Sequence, residues 1–201
     1  MEKEKLKEIL HLHKLWLEGS NEGERANLQN ADLWNADLWN ANLQNANLRN
    51  TNLQNANLRN ANLQNANLRN ANLQDADLWN ADLWNADLWN ANLQDADLWN
   101  ADLWNADLWN ANLQNANLRG ITTESIRNLN VISAQLNTSE KNRKVTYWVD
   151  LDVVTAGCWQ SNWEEFKKRV ADVYGENEKM KRKYDRVIKF IEDEVAEEKD
   201  K

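Results

Sequence analysis

The sequence predicts a β-solenoid of four-sided coils, with a helical segment before it and an α+β segment after it. Three observations point there. A five-residue phrase, Ala-Asn/Asp-Leu-X-Asn, recurs nineteen times without insertion between Ala26 and Gly120. Leucine holds every fifth position from Leu28 to Leu118, with alanine two residues before each except at Thr51. Residues 75–94 recur letter for letter as 95–114, so the duplicated unit is twenty residues, or four phrases.

A period of five suits neither a helix nor a flat strand. Successive leucines would lie about 500° apart around an α-helix, and on a strand they would alternate between the two faces. A chain that turns a corner every five residues gives them one interior, with Leu and Ala pointing in and the three intervening residues pointing out. Four sides of five residues make a square coil, and copying a whole coil lengthens the stack without rotating its faces. Nineteen phrases then give nearly five coils, a shaft of roughly 23 Å at β spacing.

The uninterrupted phrase resembles that of the pentapeptide repeat proteins, A(D/N)LXX. The resemblance implies a right-handed quadrilateral β-helix over residues 26–120, with Leu28 through Leu118 and Ala26 through Ala116 facing the interior. Thr51 departs from the pattern, and its hydroxyl needs a backbone partner inside the coil.

Residues 1–25 read as an N-terminal capping helix and turn. Leu6, Ile9, Leu10, His13, Trp16 and Leu17 fall near one stripe between residues 2 and 18, as an amphipathic helix requires. Such a helix would cover the raw end of the first coil. The Gly19–Gly23 stretch turns the chain into that coil. His11 and His13, the only histidines, point in different directions at a spacing of two and read as surface or cap residues rather than metal ligands.

Within the repeats the outward X residue changes by block. Gln29, Trp34, Trp39 and Gln44 come first, followed by alternating arginine and glutamine from Arg49 to Gln74. The duplicated coils then carry Trp79, Trp84, Trp89 and Gln94, and Trp99, Trp104, Trp109 and Gln114. Residues twenty apart stack about 4.8 Å apart. This sets Trp79 over Trp99, Trp84 over Trp104 and Trp89 over Trp109, with Asp77 over Asp97, Asp82 over Asp102 and Asp87 over Asp107. Aromatic ladders stabilise and carboxylate ladders repel. Arg59 and Arg69 precede Trp79 and Trp89 on shared faces, a cation–π arrangement. With Asp75 and Asp95, residues 75–114 hold eight aspartates and no lysine or arginine. The twelve residues of the six stacked pairs form an acidic, aromatic collar and the candidate protein-binding surface. The competing reading is gene-level repeat slippage: residues 30–44 recur as 80–94, a displacement of fifty that moves the phrase to opposite faces.

Residues 121–201 read as a C-terminal α+β capping subdomain. Val131-Ile132 could add strand to the coil end. Val145, Tyr147, Val149, Leu151 and Val153 alternate as a strand or hairpin. Ser161-Asn162-Trp163-Glu164 fits a capping box opening a helix that ends at Gly175. A second helix spans about 177–197, with Met180, Tyr184, Val187, Ile188, Ile191 and Val195 on one stripe. The segment resembles those attached to pentapeptide repeats in some bacterial and phage proteins. Its apolar stripe also admits a homodimer.

A formal net charge of −8 and a pI near 4.9 argue against direct nucleic-acid binding. The single cysteine, Cys158, excludes an intramolecular disulfide and suits a reducing compartment. The N-terminus is too charged for a secretory signal and no apolar run approaches a membrane span, so a soluble cytoplasmic protein is expected. No HExxH, CxxC or phosphate loop is present, and Cys158 has no histidine near it in sequence. We therefore expect no enzyme, cofactor or metal site, but a scaffold that binds an unknown protein partner through its shaft or C-terminal cap. The family resemblance implies an alternative, since some members imitate duplex DNA and occupy the DNA site of type II topoisomerases such as gyrase. A structural or engineered repeat protein without a specific partner is the third reading.

Overall fold

The computed structural model describes residues 1–122, 126–127, 129–137, 142–156 and 159–199. They form two compact units, Met1–Asn128 and Leu129–Lys201.

In the first unit, parallel bridges join the second residue of each phrase to the residue twenty positions later, from Asn27↔Asn47 to Asp107↔Arg127. One coil is therefore four phrases. Three backbone hydrogen bonds join successive coils on a side: Leu58 N–H to Asp77 O at 2.7 Å, Asn60 N–H to Trp79 O at 2.9 Å and Asp77 N–H to Ala56 O at 3.0 Å. Leu28 through Leu118 are all buried, and the alanines are buried except Ala31, Ala36, Ala41 and Ala111, which are half-buried. The Thr51 hydroxyl finds its partner, donating to the Leu28 carbonyl at 2.8 Å. The coil path also outruns the repeat pattern, because Thr122 and Arg127 still bridge Asp102 and Asp107. Residue 120 thus ends the phrase but not the coil.

The corners explain two positions of the phrase. The leucine carbonyl accepts the next alanine's N–H, as Leu68 does from Ala71 at 3.0 Å. The fifth residue sits at φ between 54° and 63° in every phrase from Asn30 to Asn115, and at 72° in Gly120. A turn with positive φ at its third residue favours Asn, Asp or Gly, the three types found there. At the second position, Oδ1 accepts the N–H two residues on, as Asp77 does from Trp79 at 3.1 Å. Asparagine and aspartate both serve in that Asx turn. Asparagine adds a side-chain ladder, with Asn47 Nδ2 donating to Asn27 Oδ1 at 3.0 Å and Asn112 Nδ2 to Asn92 Oδ1 at 2.9 Å.

Before the coils, α1 spans Lys3–Leu17. Leu6 and His13 are buried, while Trp16 is exposed and stacks on His13 at 5.6 Å. The helix ends in a Schellman motif, with Gly19 N–H bonded to Trp16 O, Ser20 N–H to Leu15 O and Gly19 at φ 77°, the left-handed position where glycine is favoured. Gly23 then passes the helix so closely that a Cβ would lie 2.1 Å from Trp16 N. His13 Nδ1 accepts the Ala26 N–H at 3.1 Å, and the Met1 ammonium donates to the Asp32 carbonyl. These bonds tie both ends of α1 to the first coil.

The second unit is a four-stranded antiparallel sheet in the order β1-β2-β3-β4, comprising β1 (Val131–Asn137), β2 (Asn142–Trp148), β3 (Val153–Ala156) and β4 (Trp159–Ser161). It carries two helices, α2 (Trp163–Tyr174) and α3 (Glu178–Lys199). Val131-Ile132 lies in β1 and pairs antiparallel with β2 rather than adding to the parallel coil, because an antiparallel partner follows within a hairpin's reach. The alternating run divides at a 3-10 turn, Val149–Leu151, into the hairpin strands β2 and β3. The cap of α2 is Asn162, whose Oδ1 accepts the Glu165 N–H at 2.8 Å. The capping box anchored on Ser161 and Glu164 is thus displaced by one residue, since Asn162 reaches N3 and leaves Ser161 outside the helix. Asn177 caps α3 through the Met180 N–H at 3.1 Å. The α3 stripe is used within its own unit: Tyr184, Val187 and Ile191 join Ile132, Val145, Val154, Phe166 and Val170 in one core, with Met180, Ile188 and Val195 packed against it.

Candidate functional site

Counting sides from Ala26, the bridges place Asp87, Trp89, Asp107 and Trp109 on the first side. Asp77, Trp79, Asp97 and Trp99 share the third, and Asp82, Trp84, Asp102 and Trp104 the fourth. The second side of the duplicated coils carries glutamine and asparagine instead, with Asn92 over Asn112 and Gln94 in phase with Gln114. All twelve predicted site residues are thus grouped, four to a side, on three of the four sides.

The tryptophans stack as expected. Ring centroids lie 5.4 Å apart for Trp79–Trp99, 5.5 Å for Trp84–Trp104 and 5.3 Å for Trp89–Trp109, within the range of offset aromatic pairs. Stacking covers one face of each ring; of the later members Trp109 is 52 % and Trp99 37 % exposed, while Trp104 is half-buried. In two of the pairs the earlier ring meets an arginine of the preceding coil. The Arg59 guanidinium lies 4.6 Å from the Trp79 centroid, and that of Arg69 lies 4.2 Å from Trp89.

Those arginines make a second contact that sequence reasoning missed. Arg59 Nε lies 3.8 Å from Asp77 Oδ2, and Arg69 Nη1 lies 3.3 Å from Asp87 Oδ2. On the fourth side, where glutamine replaces arginine, Gln64 Nε2 donates to Asp82 Oδ2. An X residue therefore reaches the aspartate eighteen positions later, whose Oδ1 is held by its own Asx turn. The signal was the pairing of Arg or Gln with Asp at that spacing. Asp97 accepts from Asn117 Nδ2 at 2.7 Å, so carboxylate stacking is relieved partly from the coil beyond.

The most exposed tryptophans lie outside the predicted collar. Trp34 and Trp39 of the first coil are 60 % and 59 % exposed, each two residues after an exposed aspartate. The bridges confirm that Trp34 and Trp84, which occupy the same place in the fifty-residue repeat, stand on opposite sides.

Of the remaining reactive residues, His11 is exposed and His13 is buried. Burial holds the His13 imidazole below its ordinary pKa, opposed by the Gln44 backbone carbonyl. With Nδ1 accepting from Ala26, the proton of the neutral ring belongs on Nε2. Cys158 lies outside the described residues. Among the described residues no His, Cys, Asp or Glu group is arranged to hold a metal ion, and no helix is long and apolar enough to cross a membrane.

The sequence matches the family model of pentapeptide repeats in segments 26–65, 51–90 and 91–121. It is similar to a pentapeptide repeat protein from the cyanobacterium Cyanothece 51142, with 34 % identity covering 58 % of this chain and 94 % of that one at a TM-score of 0.44. A pentapeptide repeat protein from the Arabidopsis thaliana thylakoid lumen shares 30 % identity over 45 % of this chain and 66 % of its own, at a TM-score of 0.38. The plasmid-mediated fluoroquinolone resistance protein QnrB1 shares 22 % over 52 % of this chain and 66 % of its own, at a TM-score of 0.22. No curated protein matches the chain.

Proposed function

The chain belongs to the pentapeptide repeat proteins, and on that premise we propose that it is a non-catalytic scaffold that binds a protein partner through the three sides of its shaft that carry the collar. The observation that supports this reading is the collar itself: three stacked tryptophan pairs, each beside a carboxylate column. Tryptophan is a preferred interface anchor because it buries a large rigid surface at little entropic cost. Flanking carboxylates select a partner with complementary positive charge. In this reading α1 serves as the cap that closes the first coil.

The test replaces the six collar tryptophans with glutamine, which already occupies the X position in seven phrases and therefore suits the coil. Both proteins are used for affinity capture from a bacterial lysate, with melting curves to confirm folding. A partner retained by the parent and lost by the variant is the expected result. Identical capture by both would sink the collar reading and favour the second unit or repeat slippage. A supercoiling assay with gyrase runs beside it, using a variant with Asp75, Asp77, Asp82, Asp87, Asp95, Asp97, Asp102 and Asp107 changed to asparagine. Inhibition by the parent that vanishes in this variant would favour DNA imitation.

A further inference from the structure

The rim of the first coil on its third side holds half of an interaction that later coils complete. In the second coil, Asn57 N–H donates to Ala36 O at 2.9 Å, Asn57 O accepts from Leu38 N–H at 2.8 Å, and Arg59 O accepts from Asn40 N–H at 3.0 Å. The equivalent groups of the first coil are Asp37 N–H, Asp37 C=O and Trp39 C=O. Among the described residues none of the three has a hydrogen-bond partner. An unpaired edge of this kind is a template for an added strand.

The side chains above that edge repeat a pair that binds arginine twice elsewhere in the same molecule. Asp77 and Trp79 hold Arg59, and Asp87 and Trp89 hold Arg69, each by carboxylate and ring face together. In both cases the arginine comes from the strand laid along the preceding edge. Asp37 and Trp39 have the same types at the same spacing, and both are exposed. Nothing in the coil stack precedes them.

We propose that the Asp37–Trp39 edge docks an extended, arginine-bearing segment of another protein. The segment lies parallel to residues 36–40. It makes three backbone hydrogen bonds and sets its guanidinium between the Trp39 ring and the Asp37 carboxylate, as Arg59 does at Trp79. The residue before the arginine faces inward and must be small, because Leu38 is already 1 % exposed. Lysine is a poorer fit, since its compact ammonium lacks the planar face that stacks on indole while bonding a carboxylate. This site is separate from the collar and does not depend on the collar's having a partner.

The test titrates the full-length protein into a fluorescein-labelled ten-residue peptide, Gly/Ser-rich with one central Ala-Arg-Asn, and follows anisotropy. Its control carries citrulline, which keeps the shape of arginine and removes the charge. The expected result is saturable binding of the arginine peptide, at least about tenfold weaker for citrulline and weakened similarly by W39Q and by D37N. Both substitutions install residues the phrase uses elsewhere, so folding is retained. The variant N55G, on the second side and away from both this edge and the collar, is expected to bind as the parent does. Equal binding of the citrulline peptide, binding that survives both first-coil variants, or no saturation up to about 1 mM would each overturn the proposal. Peptide binding lost at Trp84 but not at Trp39 would overturn it in favour of the collar.

Discussion

The imidazole of His13, fully buried, accepts the backbone N–H of Ala26 through Nδ1 at 3.1 Å, so the helix and the first repeat meet at a titratable acceptor. Burial lowers the His13 pKa, while the unfolded chain keeps a value near 6.5. Below that pH the unfolded state binds the proton more readily, and stability falls as pH drops through about 6.5. Above it the group contributes no pH dependence. The slope from this residue is at most about 1.4 kcal/mol per pH unit. Melting curves from pH 8 to 5 should show it, and H13N, which keeps an acceptor but cannot titrate there, should flatten it.

Asn55 isolates the cost of the corner. It is exposed and sits at φ 58°. N55A should lose about 1 kcal/mol, since an alanine Cβ crowds the carbonyl in the left-handed region. N55G should stay within about 0.5 kcal/mol of the parent. Denaturant unfolding of the pair measures the difference.

Asp97 stands over Asp77 and beneath Asn117. Replacing it with asparagine removes one carboxylate from the column and supplies an Nδ2 that can donate to Asp77 Oδ1, as Asn57 does to Asp37 at 3.0 Å. D97N should stabilise the protein by about 0.5–1 kcal/mol at low salt. The electrostatic part of that gain should shrink at high ionic strength, so unfolding at two salt concentrations separates the two contributions.

Gly23 has no room for a side chain, because the obstructing atoms are backbone atoms of Trp16 and Leu15. G23A should cost about 1–3 kcal/mol through displacement of α1. The loss should appear as faster hydrogen exchange in α1 and the first coil.

The repeats were legible because leucine recurs at a fixed period and the duplication reveals the coil length directly. The identity of the fifth residue was visible but unread. Asparagine there looks like one more polar residue until its positive φ shows that Asn, Asp and Gly share a backbone role. The pairing of collar tryptophans and the Arg59 and Arg69 stacks followed from phase alone. The Arg–Asp contacts at a spacing of eighteen did not, because they require the long side chain to lean across to the next coil. At Asn162 the sequence offered two adjacent capping residues, and only side-chain geometry chooses between them. Past Gly120 the leucines end while the backbone keeps its path to Arg127, a continuation that hydrophobic patterning does not report.

The side-chain ladder runs one way. At the second position of each phrase, Oδ1 is fixed by its own Asx turn, so an asparagine Nδ2 must serve the neighbouring coil. It donates toward the earlier one, from Asn47 to Asn27 and from Asn112 to Asn92. The ladder is therefore a vector pointing from later coils to earlier ones, and at the first coil it ends in the amide of Asn27 and the carboxylates of Asp32 and Asp37. Its direction is set within each phrase by the Asx turn, so it survives the insertion or loss of a whole coil.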